Sequence, residues 1–404
     1  MQDLNTDARC AAAGPPQWRV QRFSDDRERK AFAARARERL PILEINHDVE
    51  WLEAGRKSDG DDAIVTLVDR AGDELVGLLP VRVSAAEIKY TVGSVTLLKK
   101  RVREFQLFQS PITIRADRRD AMVRAMEQLA DSMPAGAVAF AGAVACEGEF
   151  HTLLTARGGP LRKRFHVLKW GEENWHCKIE WQGTLEAYLA SLGPDSRRNL
   201  KRYSKKLFAN DEMKPKIERF RSADDVARFL EDGMKVSDKT YQKKLFGLGL
   251  SRGGATEKRF RFAAERQGFL GHILYLRGEP AAFHYGFIFG GTFFVVQMGY
   301  DPALSQHQAG SVLFFHVLED VERLNIPVKT IDCLPGVTDF KLRTTNRKER
   351  IQNFYLFKKT LGGSALFGAI KLLDVTVRSL KTLSDRANLT ARLRRRLAGR
   401  SGGG

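Results

Sequence analysis

Two stretches of this sequence pass through the same order of local signals, and that repetition limits the fold more than any single motif. In the first, apolar β-rich runs Ala63 to Val68 and Leu75 to Val83 flank a Gly-Asp turn at Arg70-Ala71-Gly72-Asp73, a hairpin signature. Strand-like segments follow at Ser94–Leu98, Glu104–Phe108 and Ile112–Ile114, then a helical stretch Arg118 to Ser132 and a short apolar strand Ala137–Phe140. In the second, Gly271–Leu276 and Ala281–Phe289 flank the turn Arg277-Gly278-Glu279-Pro280. Gly290-Gly291 turns the chain again into the strand Thr292–Met298. After a loop, Leu313, Phe314, Val317, Leu318, Val321 and Leu324 repeat at helical spacing from about Gly310. The strand Val328–Cys333 closes the unit. A hairpin, further strand, helix and strand, met twice, predict two related α/β (α+β) units. Their sheets are expected to be mixed, mostly antiparallel and flanked by helices.

The residues between and around the units are helical or loose. Residues 1–16 end in Gly14-Pro15-Pro16 and read as a lead-in; Asp25 to Leu40 reads as a helix stopped by Pro41. Thr184 to Leu192 and Ala223 to Lys239 read as helices, with Tyr241 to Leu250 following. The most unusual segment is Asp195 to Leu207, with Asp195 or Ser196 as the N-cap. Its cations fall in two adjacent i,i+4 rows, 197-201-205 and 198-202-206, hence on one face. Leu200, Tyr203 and Leu207 face the other way. A solvated face and an anion-binding face both satisfy this pattern. Gly362 to Arg400 is expected to be a partly amphipathic helical end. It finishes in Arg392, Arg394, Arg395, Arg396 and Arg400 and suits either a solvated tail or contact with RNA or an anionic membrane surface.

Charge speaks to partners. The 404 residues carry 67 Lys+Arg against 49 Asp+Glu, a formal +18. No apolar run reaches the length of a transmembrane helix, and the first twenty residues lack the apolar core of a signal peptide. Cys10, Cys146, Cys177 and Cys333 lie far apart. A soluble, cytoplasmic protein in a reducing compartment is expected. There is no Walker loop, no G-x-G-x-x-G after a strand, no H-E-x-x-H and no G-x-S-x-G. The eight histidines are scattered, and His176-Cys177 reads as structural. Kinase, dehydrogenase, serine-hydrolase and metalloenzyme readings fall, and no metal is expected. What remains is the strand–loop–helix unit Phe293 to Leu324, whose helix start at Ala309-Gly310-Ser311 offers unpaired amides to an anion such as a diphosphate.

Four segments carry a resemblance. They are Ser196-Arg197-Arg198-Asn199-Leu200-Lys201-Arg202, Gly299-Tyr300-Asp301-Pro302-Ala303 with Gly310 before an apolar helix, Asp332, and Asp339-Phe340-Lys341. Together they resemble the CelD-like (cellulose-biosynthesis-type) acetyltransferases, a branch of the GNAT superfamily related to the FemAB aminoacyltransferases. The match spans roughly residues 170–360. The resemblance implies tandem GNAT-like domains: a divergent one at 17–165, an acyltransferase one at 166–360, and a basic helical tail at 361–404.

It also implies an acetyl-CoA or other acyl-CoA co-substrate, with acyl transfer to an amine or hydroxyl of a small, saccharide or peptide acceptor in cell-envelope polysaccharide biosynthesis. Gln297, Met298, Gly299, Ala309, Gly310 and Ser311 would hold the donor. His284, Asp332 and Tyr300 are the catalytic candidates, as base, base or substrate orienter, and thiolate acid. Tyr241, Asp339, Lys341, Arg197, Arg198, Lys201 and Arg202 would meet the acceptor. The GNAT loop Gln/Arg-x-x-Gly-x-Gly/Ala stands here as Gln306-His307-Gln308-Ala309-Gly310-Ser311, with Ala309 and Ser311 replacing glycines. Two alternatives stay open: a FemAB-like transferase fed by aminoacyl-tRNA, which the +18 suits, and a non-catalytic scaffold in polysaccharide assembly.

Overall fold

The computed structural model describes residues 15–42, 44–56, 62–92, 95–108, 110–240, 249–250, 253–324, 326–377 and 379. Among them, thirteen strands form one mixed, mostly antiparallel sheet flanked by helices. The first half of the chain supplies β1 (Arg19–Gln21), β2 (Ala63–Ala71), β3 (Glu74–Val92), β4 (Val95–Leu107), β5 (Ile112–Thr113) and β6 (Val138–Ala145). The second half supplies β7 (Phe165–Glu180), β8 (Lys216–Phe220), β9 (Phe269–Leu276), β10 (Glu279–Phe289), β11 (Thr292–Tyr300), β12 (Thr330–Pro335) and β13 (Arg347–Lys358). The order is β1-β2-β3-β4-β6-β13-β7-β12-β11-β10-β9-β8, with β5 beside β3.

That order is the same read outward from its centre. From β13 the ladder runs through a parallel neighbour pair β6–β4 and a meander to an edge strand. From β7 it runs through the parallel pair β12–β11 and a meander to the other edge. A parallel pair needs a crossover. The helices Arg118–Ser132 and Ala309–Glu322 supply the two. The repetition seen in the sequence is therefore present in space. The two units share one sheet, because β13 returns from the C-terminal side and pairs with β6 on one edge and β7 on the other.

Local chemistry explains several boundaries. Asp25 caps the helix Asp26–Arg39 by accepting from Glu28 N–H. Gly290 and Gly291 both have positive φ, as a two-residue hairpin turn between β10 and β11 demands. The expected strands at 94–98 and 104–108 are one strand, β4, paired along β3. Asp195 and Ser196 are not the cap of the basic helix. Pro194 takes the first helical position of Pro194–Phe208, so Gly193 is the cap and Asp195 lies in the first turn, paired with Arg198.

The second-half sheet is sandwiched. One face packs on the helices Ala309–Glu322, Leu185–Ser191 and Pro194–Phe208 through Leu313, Phe314, Val317 and Leu318, all buried. Burying each such side chain contributes roughly 1.5–3 kcal/mol. The other face packs on the helices Asp225–Ser237 and Gly254–Glu265 and on the N-terminal segment through Trp51, whose ring meets Phe287 edge-on at 4.7 Å. The N-terminal half thus closes one side of the second unit.

Candidate active site

The site is built where β11 leaves the sheet. Tyr285 faces Gln297 but Gly286 faces Val295, so Val296 is an extra residue in β11. A Cβ on Gly286 would lie 2.3 Å from the Phe294 carbonyl oxygen, so only glycine allows this close approach. β11 runs parallel to β12 for three residue pairs, ending at Phe294 and Asp332. β12 then leans to β7, pairing Pro335 with His176, while β11 continues to Tyr300. The two strands splay. Beyond Phe294, the β12-facing edge of β11 has no ladder partner among the described residues.

At the end of β11 the chain turns sharply. The Asp301 carboxylate accepts from Ala303 N–H at 3.0 Å and pairs with Lys239 at 2.8 Å. Gln308 sits in the left-handed region at φ 54°, immediately before the helix Ala309–Glu322. The amides of Ala309, Gly310 and Ser311 open that helix directly after the 3-10 turn Pro302–His307, and the first amides of a helix lack an acceptor within it. Ala309 is fully buried in the core, so the methyl that replaces the expected glycine points away from the helix mouth. Gly310 accommodates the ring of exposed Tyr300: a Cβ there would stand 3.1 Å from Tyr300 Cδ1.

On the face that carries Tyr285 and Gln297, β12 and β7 bring together a buried acid–base pair. Asp332 Oδ1 lies 2.6 Å from His176 Nε2 and accepts Leu334 N–H at 2.7 Å. In the tautomer whose Nε2–H donates to this carboxylate, the lone pair is on Nδ1, which has no partner among the described residues. Leu334 adopts φ 60°, a left-handed conformation that costs a branched residue roughly 1–2 kcal/mol. Such strain beside a buried polar pair is common at functional sites. Lys178 and Glu349 pair at 2.9 Å on the same face. Glu44, reaching in from the N-terminal half, has its pKa raised by burial and then by the charge of Asp332. The Tyr285 hydroxyl meets Gln297 Oε1 at 3.4 Å, and burial pushes that phenol up to about 12, so it stays a neutral donor.

The remaining candidates fall elsewhere. His284 is fully enclosed on the opposite face, between the rings of His272 and Phe293, and neither ring nitrogen has a hydrogen-bond partner among the described residues. Burial, reinforced by His272, drives its pKa far below the ordinary value. His272 in turn meets Asp320, which also takes Arg219 and Arg221. The structure therefore does not bring His284 and Asp332 together. Met298 packs toward the helix-side core. The Lys341 ammonium gathers the carbonyls of Leu334, Pro335 and Gly336 at 2.9, 3.3 and 3.2 Å, and burial lowers its pKa. Asp339 is exposed in the first turn of its helix. Arg197, Arg198, Lys201 and Arg202 are all exposed on the outer face of Pro194–Phe208, which packs beside Ala309–Glu322. Tyr241 lies outside the described residues. Sequence reasoning set His176 aside; its signal is its strand position two residues before Lys178, which is in register with Asp332.

Among the described residues no group of three or more His, Cys, Asp or Glu is arranged to hold a metal ion. Residues 194–342 match the family model described as an acetyltransferase (GNAT) domain, a stretch that takes in the basic helix, the splay and the Asp332 loop. Among solved structures, FemX superposes with a TM-score of 0.54 at 9% identity, covering 83% of this chain and 96% of that one. A conserved protein of unknown function from Bacteroides thetaiotaomicron superposes with a TM-score of 0.50 at 15% identity, covering 85% of this chain and 100% of that one. At these identities the likeness is one of fold. No curated protein matches the sequence. Residues 194–342 thus match a GNAT-type domain, within a fold that the chain shares with FemX.

Proposed function

We propose that this chain transfers an acyl group from acyl-CoA to an amine or hydroxyl, with the donor held in the splay between β11 and β12. In this reading residues 17–165 are a divergent GNAT-like unit, 166–360 the acyltransferase unit, and 361–404 a basic tail. The observation that carries the reading is the parting of β11 and β12 after Phe294 and Asp332, bounded by the Ala309 helix start and by the His176–Asp332 pair. The amides of Ala309, Gly310 and Ser311 would take the donor's diphosphate. The backbone of Gln297 to Gly299 would stabilise the oxyanion of the thioester carbonyl.

His176 takes the acceptor's proton at Nδ1, and Asp332 steadies the imidazolium that results. The acceptor's nitrogen or oxygen bonds to the carbonyl carbon as the carbon–sulfur bond breaks. Tyr300 returns a proton to the departing thiolate. His176 replaces His284 in the base role because His284 is sealed on the other face. The acceptor is a small, saccharide or peptide amine or hydroxyl in cytoplasmic steps of envelope polysaccharide assembly, as the resemblance to CelD-like acetyltransferases implies. Acetyl-CoA or free CoA should raise the melting temperature, and Gly310→Asp, which sets a charge and a Cβ against Tyr300, should abolish the shift. No shift at millimolar CoA would reject the reading.

A second reading is favoured by one observation. The rows Arg197-Lys201-Lys205 and Arg198-Arg202-Lys206 are exposed beside the helix that opens the splay. Such a face suits the phosphates of an aminoacyl-tRNA donor. It predicts tRNA binding that weakens with salt and with charge reversal at Arg197, Arg198, Lys201 and Arg202; binding unchanged by those substitutions rejects it.

A further inference from the structure

The helix at 361–377 is apolar on two sides. Leu366, Phe367 and Ile370 pack on β3, β4 and β13. The opposite side leaves Leu361 95%, Leu372 69% and Val375 58% exposed, with small residues Ala365, Gly368 and Ala369 completing the stripe. Lys371 is the charged residue on that exposed side. An outward apolar stripe of this kind in water calls for a partner.

A second apolar patch lies beside it. β4 pairs with β6 only from Glu104 onward, so the β3–β4 ladder from Ala85–Arg103 to Val92–Val95 extends past the rest of the sheet. Val92, Val95 and Leu97 are exposed near its tip. The Tyr90 hydroxyl donates to Asp374 at 3.3 Å, which fixes the tip next to the Leu372–Val375 end of the helix. Exposed cations flank the patch: Lys89 and Lys99, which share Glu87 at 3.2 and 3.0 Å, and Lys100. The sequence then continues, from 378 to 400, with eight Arg or Lys and one Asp, interleaved with five Leu.

We propose that this surface, the helix stripe and the β3–β4 tip, docks the protein on an anionic phospholipid bilayer. The apolar residues enter the headgroup boundary and the cations meet the lipid phosphates. The proposed contact is peripheral; no helix among the described residues is long and apolar enough to cross a membrane. The charge complementarity selects lipid over a neutral protein groove. The exposed leucine and valine side chains select it over RNA, which offers phosphates but no apolar layer.

Full-length protein is sedimented with vesicles of phosphatidylglycerol and phosphatidylcholine in equal parts, and with phosphatidylcholine alone. Binding should be at least about tenfold tighter to the anionic vesicles and should weaken as salt rises. Leu372→Glu with Val375→Glu should cut it about tenfold or more at an unchanged melting temperature, since both side chains are outside the core. Val95→Glu with Leu97→Glu, on the other patch, should weaken it in the same direction. Failure to bind anionic vesicles, equal binding to both vesicle types, or full binding by both double variants overturns the proposal. So does capture of the surface by tRNA with no vesicle binding.

Discussion

His176 Nε2 lies 2.6 Å from Asp332 Oδ1, and the two residues come from β7 and β12, separated by 156 positions in the chain. Strand register does this work. Lys178 stands opposite Asp332 and His176 opposite Pro335, so His176, Lys178 and Asp332 share a face at the mouth of the splay. Replacing His176 with Ala should lower kcat by about a hundredfold to ten-thousandfold, the range of a lost general base. Asp332→Asn should lower kcat in the same direction by leaving His176 in the wrong tautomer. Neither change should weaken CoA binding by more than a few fold. Steady-state kinetics with a CoA titration checks this; wild-type turnover in His176→Ala would remove His176 from the chemistry.

The fold should lose stability in acid through a histidine outside that pair. His47 is buried, its Nε2 donating to the Ser110 carbonyl at 3.1 Å, and burial drives its pKa from about 6.5 down to about 4. The unfolded chain therefore binds a proton that the folded chain refuses. Stability is fully present above about pH 6.5 and is lost as the pH falls toward 4, by about 3 kcal/mol for this group. His272 and His284 act in the same direction. Urea melts between pH 7 and 4 should show the loss, and His47→Gln should flatten part of it. An unchanged slope in His47→Gln would assign the acid sensitivity elsewhere.

The bulge that aims β11 depends on Gly286. A methyl group there meets the Phe294 carbonyl oxygen at 2.3 Å, which forces β10 and β11 apart. Gly286→Ala should cost about 1–3 kcal/mol, the usual price of overpacking. It should also weaken CoA binding, because the strand that leads into the splay shifts. Gly72→Ala, in an open hairpin turn at φ 61°, should cost stability through backbone strain yet leave CoA binding intact, which separates the two effects.

Much of this architecture was visible before the structure. The two hairpins, the helices Arg118–Ser132 and Ala309–Glu322 and the strands that follow them repeat in order because local turn chemistry and helical spacing are written in short windows. The two central strands were not visible. β7 carries Glu172, Glu173 and Lys178, and β13 carries Lys348, Glu349 and Arg350, so neither shows a continuous apolar alternation. They are strands because each is paired along both edges, a property of the assembled sheet. The proposed site divides in the same way. The Ala309 helix start, Tyr300 and Asp332 could be picked out locally. His176 could not, since its partner lies in a distant strand. His284 was misleading for a related reason: strand alternation gives its face, but only the packed helix shows that this face is closed.

The central claim, that an acyl-CoA sits between β11 and β12, is tested most directly by amide hydrogen exchange with and without CoA. The account predicts slowed exchange at Gln297 to Gly299 and at Ala309 to Ser311 in the wild type, and no such change in Gly310→Asp. Protection confined to other parts of the chain, or none at saturating CoA, would contradict it.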